Sequence, residues 1–305
     1  MPTPSILEHT CPQQSHRHRL PVMNTMESSV SQRIFLAGAS GAIGRRLAPL
    51  LIGNGWHVFG STRSTDKADA LRAMGVEPVV VDVFDSPALD GLVSEIRPDV
   101  VIHQLTDLPY ALEASAMTAA LVRNARLRDE GTRNVVSAAV RAGARRLIAQ
   151  SISFIYADGP SPKRETDPLL PVTHPVYGET VQGVLSLERQ VLAAPLEGIV
   201  LRYGLFYGPG TGFDEPLAPG SVHVDAAAKA AELATTWANA ASSMSPRRTV
   251  PCRASPPSPR SDGTRIGGSP SSWSRQAGFT SLIHASTIAL QARRARPRVR
   301  VSDNQ

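Results

Sequence analysis

Three glycines at three-residue intervals mark the first stretch that could do chemistry: Gly38-Ala39-Ser40-Gly41-Ala42-Ile43-Gly44. An apolar run, 33–37, precedes them and reads as a strand. A stretch with Ile43, Leu47, Leu50 and Leu51 at helical spacing follows. Between a strand and a helix each glycine has a separate task. Gly38 permits the tight turn, Gly41 lets backbone approach a pyrophosphate, and Gly44 lets helix and strand pack closely. The first N–H groups of the helix, around Ala42 and Ile43, add free donors and a partial positive charge. The turn predicts dinucleotide binding, against the alternative of a turn shaped by packing alone. Ser40 would suit a hydrolase only inside Gly-x-Ser-x-Gly, and that spacing is missing.

In NAD sites of this kind an acid about 20 residues further on holds the ribose 2′-hydroxyl. Here the second strand ends Gly60-Ser61-Thr62-Arg63-Ser64, with no acid at 61–63. Arg63 can fork onto a 2′-phosphate, so NADP is expected over NAD; an ordinary solvent-facing arginine is the alternative. The two cysteines, Cys11 and Cys252, stand outside the patterned region with no metal-ligand spacing. No metal is expected, and the setting reads as cytoplasmic.

The elements that must position these residues alternate. Strands are predicted at 33–37, 57–61, 78–82, 99–103, 146–150 and 198–202. Helices are predicted at 43–54, 66–74, 86–96 with Ser86 as N-cap, 116–142 as one long helix, and 180–193. Nearly uninterrupted apolar strands between helices imply a doubly wound parallel α/β sheet of Rossmann type, buried on both faces. The 305 residues divide into a polar extension at 1–31, expected to be disordered, a dinucleotide-binding domain with substrate-side loops at 32–241, and a tail at 242–305. The tail holds 11 Arg, no Lys, two Asp and no Glu, a net of +9. The whole chain carries +6, so residues 1–241 carry 6 − 9 = −3. Basicity therefore belongs to the tail, and a nucleic-acid partner is not expected. The tail reads either as a disordered basic segment or as the product of a reading-frame change, leaving the substrate region small and incomplete. No apolar run approaches the roughly 18 residues of a membrane span.

Further segments give the ensemble a family likeness: Val101-Ile-His-Gln104-Leu105-Thr106, Gly131-Thr-Arg-Asn134, Gln150-Ser151-Ile-Ser153, Tyr207-Gly-Pro-Gly210 and His223-Val-Asp225. Together with the glycine turn they resemble the short-chain dehydrogenase/reductase superfamily, in its epimerase/dehydratase-like extended or atypical branch. The likeness spans about 32–233. It implies that backbone at Gln104, Leu105 and Thr106 lies against the cofactor. It also implies that Asp82, followed by Val83, contacts the adenine amine, with a turn cap as the alternative for Asp82. His223 and Asp225 would face substrate or lie in a plain loop. His103, on a buried strand, reads as a packed core residue.

The same resemblance implies hydride transfer assisted by a Ser or Thr, a Tyr and a Lys four residues after it on one helix face. Tyr177 supplies the tyrosine, Ser151 or Ser153 the hydroxyl, but the lysine position holds Val181. In the family that lysine grips the cofactor ribose and favours the phenolate. Two readings follow. One is an oxidoreductase or epimerase/dehydratase-like enzyme using NADP or NAD on a small carbonyl, alcohol or sugar-derived substrate, with a homodimer as the candidate assembly. The other is a non-catalytic dinucleotide-binding sensor or partner-binding module, which Val181 favours.

Overall fold

Along β1 (Arg33–Ala37) the side chains alternate between two cores. Ile34 and Leu36 join one, Phe35 and Ala37 the other, and all four are buried. That is the pattern of a strand covered by helices on both faces. The computed structural model describes residues 32–160, 163–236 and 288–293. The predicted extension at 1–31 lies outside them, as does the tail apart from 288–293.

The remaining elements are α1 (Ala42–Gly53), β2 (His57–Thr62), α2 (Asp66–Ala73), β3 (Glu77–Val80), α3 (Ser86–Ile96), β4 (Val100–His103), α4 (Ala114–Arg126), α5 (Thr132–Arg141), β5 (Arg146–Ile152), α6 (Gly178–Ala193), β6 (Glu197–Tyr203), β7 (Phe206–Tyr207), β8 (Val222–His223), α7 (Val224–Ala234) and β9 (Ile288–Arg293). The main sheet runs β3-β2-β1-β4-β5-β6-β9. Its first six strands are parallel, as expected; β9 joins β6 antiparallel, with Tyr203 opposite Ile288. The fold is a Rossmann-type doubly wound sheet. Order reverses between β1 and β4, where such sheets open a crevice at their carboxyl edge.

One core packs α1 and α7 against Ile34, Leu36, Ile102, Ile148 and Leu201. The other packs α3, α5 and α6 against Phe35, Val101, Leu147 and Val200. The alanine-rich α7 was not among the predicted helices. Fully buried Arg146 fastens it: its guanidinium binds Glu197 at 2.7 Å and donates to the carbonyls of Ala234 and Thr235 at the helix end.

Two helix expectations need correction. The N-cap of α3 is Asp85, not Ser86; Asp85 accepts from the Ala88 N–H at 3.1 Å. Pro87 has no N–H to satisfy, so the donor that Asp85 reaches is the Ala88 N–H, three residues on. The long helix expected over 116–142 is interrupted by a π turn, Leu127–Gly131. A Cβ on Gly131 would stand 2.8 Å from a Leu127 methyl. The widened turn is tied to α6, where Gln190 donates to the Asp129 carbonyl at 3.0 Å and Ser186 to the Asp129 carboxylate at 2.5 Å.

Candidate active site

The predicted site residues come to one edge because parallel strands all end there. The turn after β1, Arg63 after β2, Asp82 and Val83 after β3, 104–106 after β4, and Ser151 and Ser153 at the end of β5 share it. Tyr177 joins them as N-cap residue of α6, which starts at the same edge.

Gly38 has φ +88°, and a Cβ there would stand 2.9 Å from the Gln104 carbonyl oxygen. On Gly44 a Cβ would collide with the carbonyl oxygens of Gly38 and Ala39. Gly41 differs: a Cβ would meet only the Gly38 oxygen, at 3.3 Å. It is the N-cap of α1, with no side-chain cap and no acid in the first turn. Free N–H groups, a helix dipole and a backbone bare of any side chain fit a pyrophosphate. Gln104 offers this turn backbone only. Its N–H donates to the Ala37 carbonyl (2.9 Å), while its buried amide points toward the Tyr203 hydroxyl without completing a hydrogen bond. Tyr203 donates instead to the Ala227 carbonyl at 3.0 Å.

Arg63 is well exposed and lies 3.9 Å from the Asp107 carboxylate, which Arg123 also approaches at 3.3 Å. An acid that no sequence pattern at 61–63 showed thus stands beside Arg63, brought there by the loop after β4. Asn124, buried on α4, clamps that loop: it accepts from the Asp107 N–H and donates to the Asp107 carbonyl at 2.8 Å. Beyond β3, the exposed Asp82 caps its own turn by accepting from the Phe84 N–H at 3.0 Å. The Val83 carbonyl accepts from Asn134 at 2.9 Å, so the Gly-Thr-x-Asn segment braces this wall. Thr132 of the same segment meets His103 Nε2 at 3.1 Å, and His103 Nδ1 accepts from the Leu105 N–H at 3.3 Å. With Nδ1 accepting, Nε2 carries the proton, so the ring is neutral. Burial, helped by the nearby Arg128 charge, pushes His103 down to about 4.

The two serines part company. Ser151 is buried and donates to Glu188 at 2.7 Å. Glu188 in turn takes a two-point contact from Arg202, at 2.8 and 2.6 Å, and Arg202 donates to the Tyr156 hydroxyl at 2.7 Å and the Glu165 carbonyl at 3.2 Å. Sequence reading did not find this network; charged Glu188 and Arg202 on otherwise apolar faces were the available signal. Ser153 lies just past β5, and its N–H donates to the Tyr203 carbonyl at 2.8 Å. The Tyr177 ring is 36% exposed and stacks on His174 with centroids 5.4 Å apart. Val181, one turn on, is fully buried among Ile152, Ile155 and Val184. The lysine position is therefore filled by packing.

Tyr207 and His223 meet through the β7–β8 pair with their rings edge-on at 5.1 Å. His223 caps α7, and Asp225 pairs with Arg46 of α1 at 2.5 Å. These two side chains thus serve a helix start.

Residues 34–240, more than half of the chain, match the NAD dependent epimerase/dehydratase family. The chain belongs to that family. A "3-diazoavenalumate denitrifying reductase" of Streptomyces sp is 45% identical over 184 residues, 59% of this chain and 58% of that protein. The "Methionine adenosyltransferase 2 subunit beta" of Xenopus laevis is 29% identical, over 58% of this chain and 48% of its own length. The chain spans about half the length of the curated relatives it matches. The fold is that of a UDP-glucose 4-epimerase from Thermotoga maritima, TM-score 0.54 at 21% identity, covering 67% of this chain and 73% of that one. Membership of an NAD dependent family makes a nicotinamide dinucleotide the cofactor class for the crevice. Among the described residues no helix is long and apolar enough to cross a membrane.

Proposed function

We propose that this protein is an NAD(P)-dependent reductase of a small carbonyl or comparably reducible substrate, with NADP preferred. The uncapped glycine turn at the switch point, with exposed Tyr177 on the same edge, carries the reading. The turn 38–44 would hold the pyrophosphate, Asp82 and Val83 the adenine side, and Arg63 a 2′-phosphate. The cofactor, when bound, supplies hydride. Tyr177 donates the proton to the substrate oxygen, because its ring is open to solvent at the start of α6. Ser153 orients that oxygen, because the Ser151 hydroxyl is already held by Glu188. The 45% identical reductase supports reduction over epimerisation.

Turnover of NADPH with a panel of aldehydes and ketones tests this. Tyr177→Phe should abolish turnover and leave cofactor affinity unchanged, since only the hydroxyl is removed. Full activity in that variant would sink the assignment. Sedimentation decides whether the expected homodimer forms. A second reading, a non-catalytic dinucleotide-binding subunit, is favoured by the buried Val181 and by the likeness to an adenosyltransferase subunit. Tight NADPH binding with no turnover on any substrate would select it.

A further inference from the structure

Three arginines are buried among the described residues: Arg128, Arg146 and Arg202. Arg146 and Arg202 each hold a carboxylate and at least one further oxygen. Arg128, 9% exposed, makes no side-chain hydrogen bond or ion pair among the described residues. Burial alone acts on its guanidinium and pushes it down to about 10. A buried cation without a counter-charge is costly, and the cost persists only where something else repays it.

Its place points to a ligand. Arg128 lies in the π turn, and such turns recur at functional sites. It is four residues before Thr132, which holds His103 at the end of β4. On its other side its Cβ packs against Gly183 of α6, 3.4 Å from where a Cβ on that glycine would stand. Both helices run away from the carboxyl edge of the sheet, and helical side chains lean toward the helix N-terminus. The Arg128 side chain therefore leaves the level of Gly183 leaning toward that edge. Thr180 stands three residues nearer that edge on α6 than Gly183, about 4.5 Å at 1.5 Å per residue. Its hydroxyl is also buried without a partner.

We propose that Arg128 is a cofactor-binding residue whose guanidinium takes an oxygen of the nicotinamide half of the dinucleotide, a ribose hydroxyl or the adjoining phosphate. It approaches from the π turn the part of the cofactor that a lysine at position 181 would have gripped from α6. The proposal rests on the reading that the crevice holds a nicotinamide dinucleotide. Because the contacted half is common to both cofactors, Arg128 does not distinguish NADP from NAD, unlike Arg63.

Calorimetric titration of the full-length protein with NADPH and with NADH tests it, using Arg128→Met and Arg128→Lys. The Met variant should lose roughly ten- to a hundredfold in affinity for both cofactors alike, the range for a hydrogen bond to a charged group. The Lys variant should lose less. Without cofactor, the Met variant should melt no lower than the unmutated protein, since a lone buried charge has gone; a merely structural arginine would lower Tm. Should the Met variant fail to fold, Arg128→Gln removes the charge and keeps polarity. Unchanged affinity for both cofactors overturns the proposal, even if turnover falls, for the guanidinium would then face substrate. If the unmutated protein binds neither cofactor, the dinucleotide reading falls and takes the proposal with it; binding that the variants leave intact overturns the proposal alone.

Discussion

Removing both partners of the Glu188–Arg202 pair should cost far less than the two single losses added together. The two residues are 5% and 4% exposed, and their side chains meet at 2.8 and 2.6 Å. Arg202→Leu leaves the Glu188 carboxylate buried with only the Ser151 hydroxyl, and Glu188→Leu strands the guanidinium beside Tyr156. Breaking such a pair costs about 3–5 kcal/mol. At about 2–4 °C per kcal/mol for a domain of this size, each single variant should melt about 6–20 °C lower. The double variant has no stranded charge. It loses the contacts to the Ser151 and Tyr156 hydroxyls and the longer one to the Glu165 carbonyl, about 1 kcal/mol each at most. Its loss should be about 2–3 kcal/mol, against about 6–10 kcal/mol if the singles added. Denaturant unfolding of all four proteins, with coincident transitions by two probes, measures this coupling. Additive losses would refute the view of these residues as one buried unit. The double variant should also show whether freeing Ser151 disturbs turnover through the segment that carries Ser153.

Other outcomes follow from single contacts. Arg63→Ala should weaken NADP(H) binding by roughly tenfold, the low end for a charged contact because Asp107 already competes for the guanidinium; equal calorimetric affinities of the unmutated protein for NADP(H) and NAD(H) would remove the basis for it. His103 is held neutral in the folded chain, down to about 4. The unfolded chain therefore binds the extra proton first, below about pH 6.5, and stability should fall as pH drops from 6.5 toward 4, by up to about 3 kcal/mol. Denaturant midpoints across that window check this, and His103→Gln should flatten the slope. Val181→Lys, which the tyrosine motif alone suggests as a repair, puts an ammonium among Ile152, Ile155 and Val184. We expect a loss of about 3 kcal/mol or more and no gain in turnover; a faster enzyme with unchanged Tm would contradict the packing argument.

The sequence by itself determined the architecture, because the signals are local. Alternating apolar strands and amphipathic helices specify a parallel sheet. The Gly38–Gly41–Gly44 spacing between a strand and a helix specifies a glycine turn that brings backbone close to a ligand. Parallel connection then carries the ends of β1 through β6, and every residue predicted for the site, to one edge. Pairings between residues distant in sequence were decided only in the tertiary structure. Nothing around Arg63 shows that Asp107, 44 positions later, stands beside it, nor around Ser151 that Glu188 holds its hydroxyl. The 3.6-residue period runs through 116–142 without announcing a π turn, because the turn is held by α6 through Gln190 and Ser186. Local pattern records which face of an element is apolar. It does not record which polar group arrives from another element to satisfy a charge, and so it could not show that Arg146 and Arg202 meet carboxylates while Arg128 is buried with no such partner among the described residues.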